Sequence, residues 1–194
     1  MTTHPAAILV VLASTVAACG PQDSRASDER ARAPASRQSQ DTAFRGTMAA
    51  VQRVRSVAPG AARPILRAVE AAPGPGSGYD RVVFEFAGDS VPGYHIEYTT
   101  KPVQRCGSGD PVTVAGTGRL VVRFEPAQAH DERGALLAAE RHRTPGLPAV
   151  RELELVCDFE GQVEWLLGVA TPLPYRVSEL TGPARLVLEV KHGR

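Results

Sequence analysis

Net charge is nearly absent from this sequence: 22 Lys and Arg stand against 21 Asp and Glu in 194 residues, a formal +1 at neutral pH. A chain so balanced has no electrostatic case for binding nucleic acid, or for adhering to a membrane surface by charge alone. Its short basic clusters, such as Arg141-His142-Arg143, sit beside acids and read as solvated loop. Also missing is an apolar run long enough to cross a bilayer comfortably; the one extended stretch, at 6–18, is too short. Enzyme signatures are missing as well. His4, His95, His130, His142 and His192 form no His-x-His or His-Glu-x-x-His pattern, and no Cys-x-x-Cys occurs, so a metal has no local anchor. There is no Gly-x-Ser-x-Gly elbow, and Gly116-Thr-Gly118 lacks the downstream helix of a phosphate loop. His130-Asp131-Glu132 reads as polar loop, and Asp158 with Glu160 as residues beside a turn. The expectation is a protein that is not an enzyme, with no catalytic residue, no metal and no cofactor.

What is present begins with the apolar stretch itself, which has the length of a signal-peptide core and ends in Val16-Ala17-Ala18-Cys19-Gly20. Small residues before the cysteine suit a peptidase cleft that admits little bulk, and the thiol can be acylated. The segment resembles the bacterial lipobox, although Met1-Thr-Thr-His-Pro5 departs from the usual pattern in carrying no Lys or Arg. The resemblance implies a lipoprotein signal peptide over 1–18 and Cys19 as the lipid-modified first residue of the mature protein. Attachment would then be to a membrane of the cell envelope through that lipid, and two or three acyl chains suffice for stable anchoring. With Gly rather than Asp at residue 20, it further implies the outer membrane if the bacterium has two.

From 19 to 60 the chain is rich in Ala, Ser, Arg, Gln, Asp and Pro and poor in large hydrophobics. Such a segment cannot bury enough apolar surface to offset its ordering entropy, so it is expected to be a disordered tether. As a flexible coil, ~40 residues would reach on the order of 35 Å. Phe44, Met48 and Val51 fall at helical spacing and admit a short amphipathic helix as the alternative.

Over 61–194 the period changes to two. Val82, Phe84 and Phe86 alternate with polar residues, as do Tyr94, Ile96 and Tyr98, and Leu120, Val122 and Phe124. The same holds for Leu153, Leu155, Cys157 and Phe159, then Val163, Trp165, Leu167 and Val169 after a Glu160-Gly161 hairpin turn, and finally Leu186, Leu188 and Val190. Strands of this kind, punctuated by Pro and Gly, predict an all-β fold of antiparallel sheets packed face to face, a β-sandwich. One strand pattern recurs. Arg81-Val-Val-Phe-Glu-Phe86 and Arg185-Leu-Val-Leu-Glu-Val190 share it, and Arg119-Leu-Val-Val-Arg-Phe124 matches except at Arg123. Alternation sends Arg81, Val83 and Glu85 to one face and the apolar residues to the other.

Gly78-Tyr-Asp-Arg-Val-Val-Phe-Glu-Phe86, Pro92-Gly-Tyr-His-Ile-Glu-Tyr98, Asp158-Phe-Glu-Gly161 and Tyr175-Arg-Val-Ser-Glu-Leu-Thr-Gly-Pro-Ala-Arg-Leu-Val-Leu-Glu-Val190 together resemble the AMIN-like domain of bacterial envelope lipoproteins. The resemblance covers roughly 62–192 and implies a β-sandwich that binds or localises to peptidoglycan and does not catalyse. No amidase or secretin segment, the usual neighbours of such domains, accompanies it. The candidate ligand-binding residues are Arg81, Glu85, Arg176, Arg185 and Glu189, because guanidinium and carboxylate groups can hydrogen-bond glycan hydroxyls and muropeptide carboxylates. The competing reading of each is an ordinary cross-strand ion pair worth a few tenths of a kcal/mol to about one. The competing function is a protein-interaction module that docks an envelope assembly without binding glycan.

Three cysteines are an odd number for an exported chain. Lipidation of Cys19 leaves Cys106 and Cys157, which an oxidising location permits to bridge; two free thiols are the alternative. Finally, 125–147 is long for a connection, which predicts a short helix or an extra edge strand within it.

Overall fold

A computed structural model of the protein describes residues 44–193 except 77 and 139; the expected signal peptide, Cys19 and the tether up to residue 43 lie outside the described residues. The described residues form strands β1 (Val51–Arg53), β2 (Leu66–Pro73), β3 (Tyr79–Phe86), β4 (Tyr94–Tyr98), β5 (Val103–Gln104), β6 (Pro111–Val112), β7 (Gly118–Phe124), β8 (His142–Arg143), β9 (Val150–Phe159), β10 (Gln162–Val169), β11 (Tyr175–Leu180) and β12 (Ala184–Lys191). No helix occurs among them.

One sheet has six strands in the order β1-β4-β7-β10-β9-β8, the other four in the order β11-β12-β3-β2, and every strand pair in them is antiparallel. The predicted period puts one face of each sheet into a shared core. Phe84 and Phe86 of β3 meet Phe124 of β7 edge-on at 5.1 and 4.9 Å, and Phe84 meets Trp165 of β10 at 6.3 Å. These rings are fully buried with Ile96, Leu120, Leu153, Leu155, Leu186 and Leu188 around them, so the fold is the β-sandwich that alternation predicts.

The expected hairpin turn is present. Glu160 and Gly161 both have positive φ, 51° and 87°, as a two-residue turn matching the strand twist requires. Elsewhere strict alternation misleads. The β9–β10 register slips at Val156, so that Leu155 faces Trp165 while Cys157 faces Glu164. An extra residue in one strand turns the following side chain to the other face. Cys157 therefore leaves the core face it was expected to share with Leu155 and lies on the outer side of the large sheet. Val156 joins Val103, Val112, Val121 and Leu166 there in a second apolar cluster beneath β5 and β6.

The ordered chain also starts earlier than its composition predicts. Residues 44–55, assigned to the tether, belong to the sandwich as extended chain and not as a helix. Thr47 and Tyr175 exchange backbone hydrogen bonds at 2.7 and 2.9 Å, and β1 then pairs with β4. The segment thus passes from the edge of the small sheet to the edge of the large one. The Tyr175 hydroxyl fixes this crossing, lying 2.7 Å from the Ala49 carbonyl oxygen and 2.9 Å from that of Ile96. Burial, then the neighbouring Tyr98, pushes the Tyr175 hydroxyl up to about 12. Few large hydrophobics are needed, because unpaired edge groups of both sheets supply hydrogen-bond partners. In the long connection the predicted edge strand exists as β8, paired with β9.

Candidate functional site

All five candidate residues, four of them in the repeated strands and Arg176 on β11, lie on the outer face of the four-stranded sheet, in two rows set by the register. In one row Arg176, Glu189 and Arg81 are direct neighbours across β11, β12 and β3; in the other, Leu180, Arg185 and Glu85 are. Ser178, Val187 and Val83 lie between the rows.

The first row is organised by Glu189. Its side chain is only 6% exposed, while those of Arg81 and Arg176 are 36% and 37% exposed. Arg81 donates from Nε and Nη2 to Glu189 Oε1 at 3.1 and 2.6 Å, and Arg176 donates from Nε to Glu189 Oε2. Burial acts to raise the Glu189 carboxyl, but hydrogen bonds from Arg176 and Arg81 and their charges prevail and hold it below its ordinary value of 4.5. Arg176 is raised, chiefly by the same hydrogen bond. Its guanidinium carbon also lies 4.7 Å from the Phe44 ring centre and 5.1 Å from that of Tyr79. Two guanidiniums are thereby fixed at a surface by a carboxylate beneath them, with the two Nη groups of Arg176 left outside that pair. This is what planar recognition of a carboxylate or a sugar hydroxyl pair needs.

The second row differs. Glu85 and Arg185 are register partners, yet no ion pair joins them among the described residues, and Arg185 Nε is buried without a partner. The repeat thus places Arg and Glu on one face as alternation predicts, but only one of its two cross-strand positions forms an ion pair.

The sequence did not single out a second cluster, at the β1–β4 edge of the large sheet. Gln52, Arg53, Val54, Arg55, Tyr94, His95, Arg123, Glu125 and Pro126 line an open cleft of about 440 Å³. Gln52, His95 and Arg123 form one cross-strand row on the outer face of the large sheet. Arg123 is the one position at which the third repeated strand departs from its pattern, and that departure was the available signal. Arg53 and Arg55 carried none, because they fell in the supposed tether.

The remaining polar clusters have structural partners. Asp158 accepts from the Ala129 amide at 2.9 Å and meets His130 Nδ1 at 2.7 Å, which ties down the 127–130 loop. Glu160 belongs to the β9–β10 turn, with φ 51°. His142, Glu152 and Glu154 bring ligand atoms within 4.8 Å of one another. Both carboxylates are engaged already: Glu154 by Arg105, and Glu152 by the Ala115 amide at 2.6 Å and His142 at 2.8 Å. As they stand, these bonds compete with metal coordination. Cys106 and Cys157 are bonded, with Cα atoms 5.2 Å apart, well inside the range a bridge requires.

The described residues thus define a two-sheet antiparallel all-β sandwich that carries a fixed Arg-Glu-Arg row and a small polar cleft on its surface. The AMIN-like domain model matches residues 67–192, and the chain belongs to that family. Its domains are envelope-associated and generally bind or localise rather than catalyse. No curated protein and no solved structure is detectably similar to the chain. The family match begins after β1, so the 44–55 crossing and the Arg53–Arg55 side of the cleft lie outside it.

Proposed function

We propose that this protein is a lipid-anchored, non-catalytic domain that binds the peptidoglycan of the cell wall through the outer face of its four-stranded sheet. The observation that carries this reading is the Arg176-Glu189-Arg81 row, in which a buried acid presents two guanidiniums that remain about one-third exposed. Muropeptide carboxylates and glycan hydroxyls are the acceptors that such donors suit. Cys19 supplies the lipid, and the polar residues before 44 supply the reach between membrane and domain. The test is binding to purified peptidoglycan by the unit 41–194, which contains the whole core. The same unit with Arg81→Ala and Arg176→Ala should lose most of its retention.

A second reading rests on a different feature of the same face. Leu180, at the end of the row it shares with Arg185 and Glu85, is 42% exposed, a single apolar side chain suited to cover by a protein partner in an envelope assembly. Wall retention indifferent to both arginines, together with capture of a defined envelope protein that Leu180→Glu abolishes, would favour it.

A further inference from the structure

We propose that the cleft between β1 and the ends of β4 and β7 binds a zwitterion: an amino-acid or short-peptide group that presents a carboxylate and an ammonium together. Charge bookkeeping around the cleft carries the argument. Arg53 and Arg55 share one acid, Glu179, at 3.1 and 2.7 Å, so two guanidiniums are offset by one carboxylate. Arg55 spends a further donor on the Val91 carbonyl. Arg123 meets Glu164 through its Nε at 2.7 Å, which leaves its Nη edge outside that pair. Glu125, also lining the cleft, has no ion-pair partner among the described residues. The lining therefore carries an excess of guanidinium, on the Arg53–Arg55 segment and at Arg123, together with the Glu125 carboxylate, which no ion pair among the described residues engages. A ligand carrying both charges satisfies both, whereas a simple anion would face Glu125 and a simple cation the arginines.

Backbone packing holds this lining together. At Gly93, a Cβ would fall 2.4 Å from the Glu125 carbonyl oxygen, 3.0 Å from the Arg55 nitrogen and 3.2 Å from the Arg53 oxygen. The absence of that Cβ lets the segment carrying Arg53 and Arg55 pass close beside the one carrying Glu125. The volume of about 440 Å³ lies toward the small end of ordinary ligand sites, roughly 300–1,000 Å³, and suits a residue or a dipeptide better than a polymer segment. Two sources present this chemistry, a cross-linking peptide of the wall and a free peptide in solution. The site does not depend on wall binding by the Arg176-Glu189-Arg81 face.

The experiment is an NMR titration of the isotope-labelled unit 41–194 with alanyl-alanine, its C-terminal amide and its N-acetyl derivative. Saturable shifts are expected at His95, Arg123 and Glu125 with the free dipeptide. Capping either end should weaken binding about tenfold, as should Arg123→Gln or Glu125→Gln separately. The use of two variants guards against a folding defect in either one. Absence of saturation, equal binding of the capped dipeptides, or shifts confined to the Arg81 and Arg176 face would overturn the assignment. Retention on peptidoglycan without dipeptide binding would remove this site alone and leave wall binding standing. If the dipeptide does bind, its displacement by peptidoglycan assigns the wall as the source, and its persistence assigns a free peptide.

Discussion

Asp80 is fully buried on the core face of β3, a position where a carboxylate has no access to water. Its oxygens accept from the amides of Ala149 and Val150 at 2.6 and 2.9 Å and meet His192 Nε2 at 2.7 Å. It thereby ties the small sheet to the start of β9. Asp80→Ala would leave two buried amides unpaired, each costing about 1–3 kcal/mol. Urea denaturation of the 41–194 unit is expected to show a loss of about 3 kcal/mol or more. Glu189 makes a different prediction, about pH. Its folded-state carboxyl lies below the ordinary 4.5, so on acidification the unfolded chain takes up the proton first. The stabilisation is complete above about pH 4.5 and is lost as the pH falls through the lower folded value. Glu189→Gln should flatten that part of the stability profile, which denaturation midpoints measured from pH 6 down to about pH 3 would show.

At the scale of elements, the β5–β6 hairpin acts as a cover. Val103 and Val112 bury Val121, Val156 and Leu166 on the outside of the large sheet, and the Cys106–Cys157 bond and the Arg105–Glu154 pair fasten it down. The bond links residues 51 apart, which in the chain-entropy model is worth about 4 kcal/mol. Replacing both cysteines by alanine should lower stability by up to that amount and speed amide exchange in 103–112 well before the core exchanges. Simultaneous exchange of hairpin and core would contradict the cover. The elements also show where sequence reading works. The long strands β3, β7, β10 and β12 are plain in the alternation of bulky apolar residues on their core faces. Yet β10 and β12 turn out buried on nearly both faces, and only β3 alternates cleanly between buried and half-buried positions. The β2 strand is not, because its Leu-Arg-Ala-Val-Glu-Ala-Ala-Pro has little bulk to alternate. The β1, β5, β6 and β8 strands are two or three residues long and exist only through the neighbours they pair with. The bulge at Val156 is invisible in one dimension, and it alone reversed the expected side of Cys157.

For the whole molecule, the proposed division of labour is between an N-terminal address and a folded unit that binds the wall. If Cys19 carries the lipid, Cys19→Ala should shift the protein from the membrane fraction to the soluble exported fraction without lowering the melting temperature of the folded unit. The charged face was legible because a repeated strand pattern fixes register and face together. The cleft was not, because it forms only when residues from the supposed tether, β4 and the end of β7 meet in space. The central claim is tested most directly by sedimenting the 41–194 unit with purified peptidoglycan, alongside the Arg81→Ala, Arg176→Ala double variant. The account predicts saturable co-sedimentation of the native unit and at least a tenfold weaker association of the variant, about 1.4 kcal/mol or more. Recovery of the native unit wholly in the supernatant, or equal pelleting of both, would contradict it.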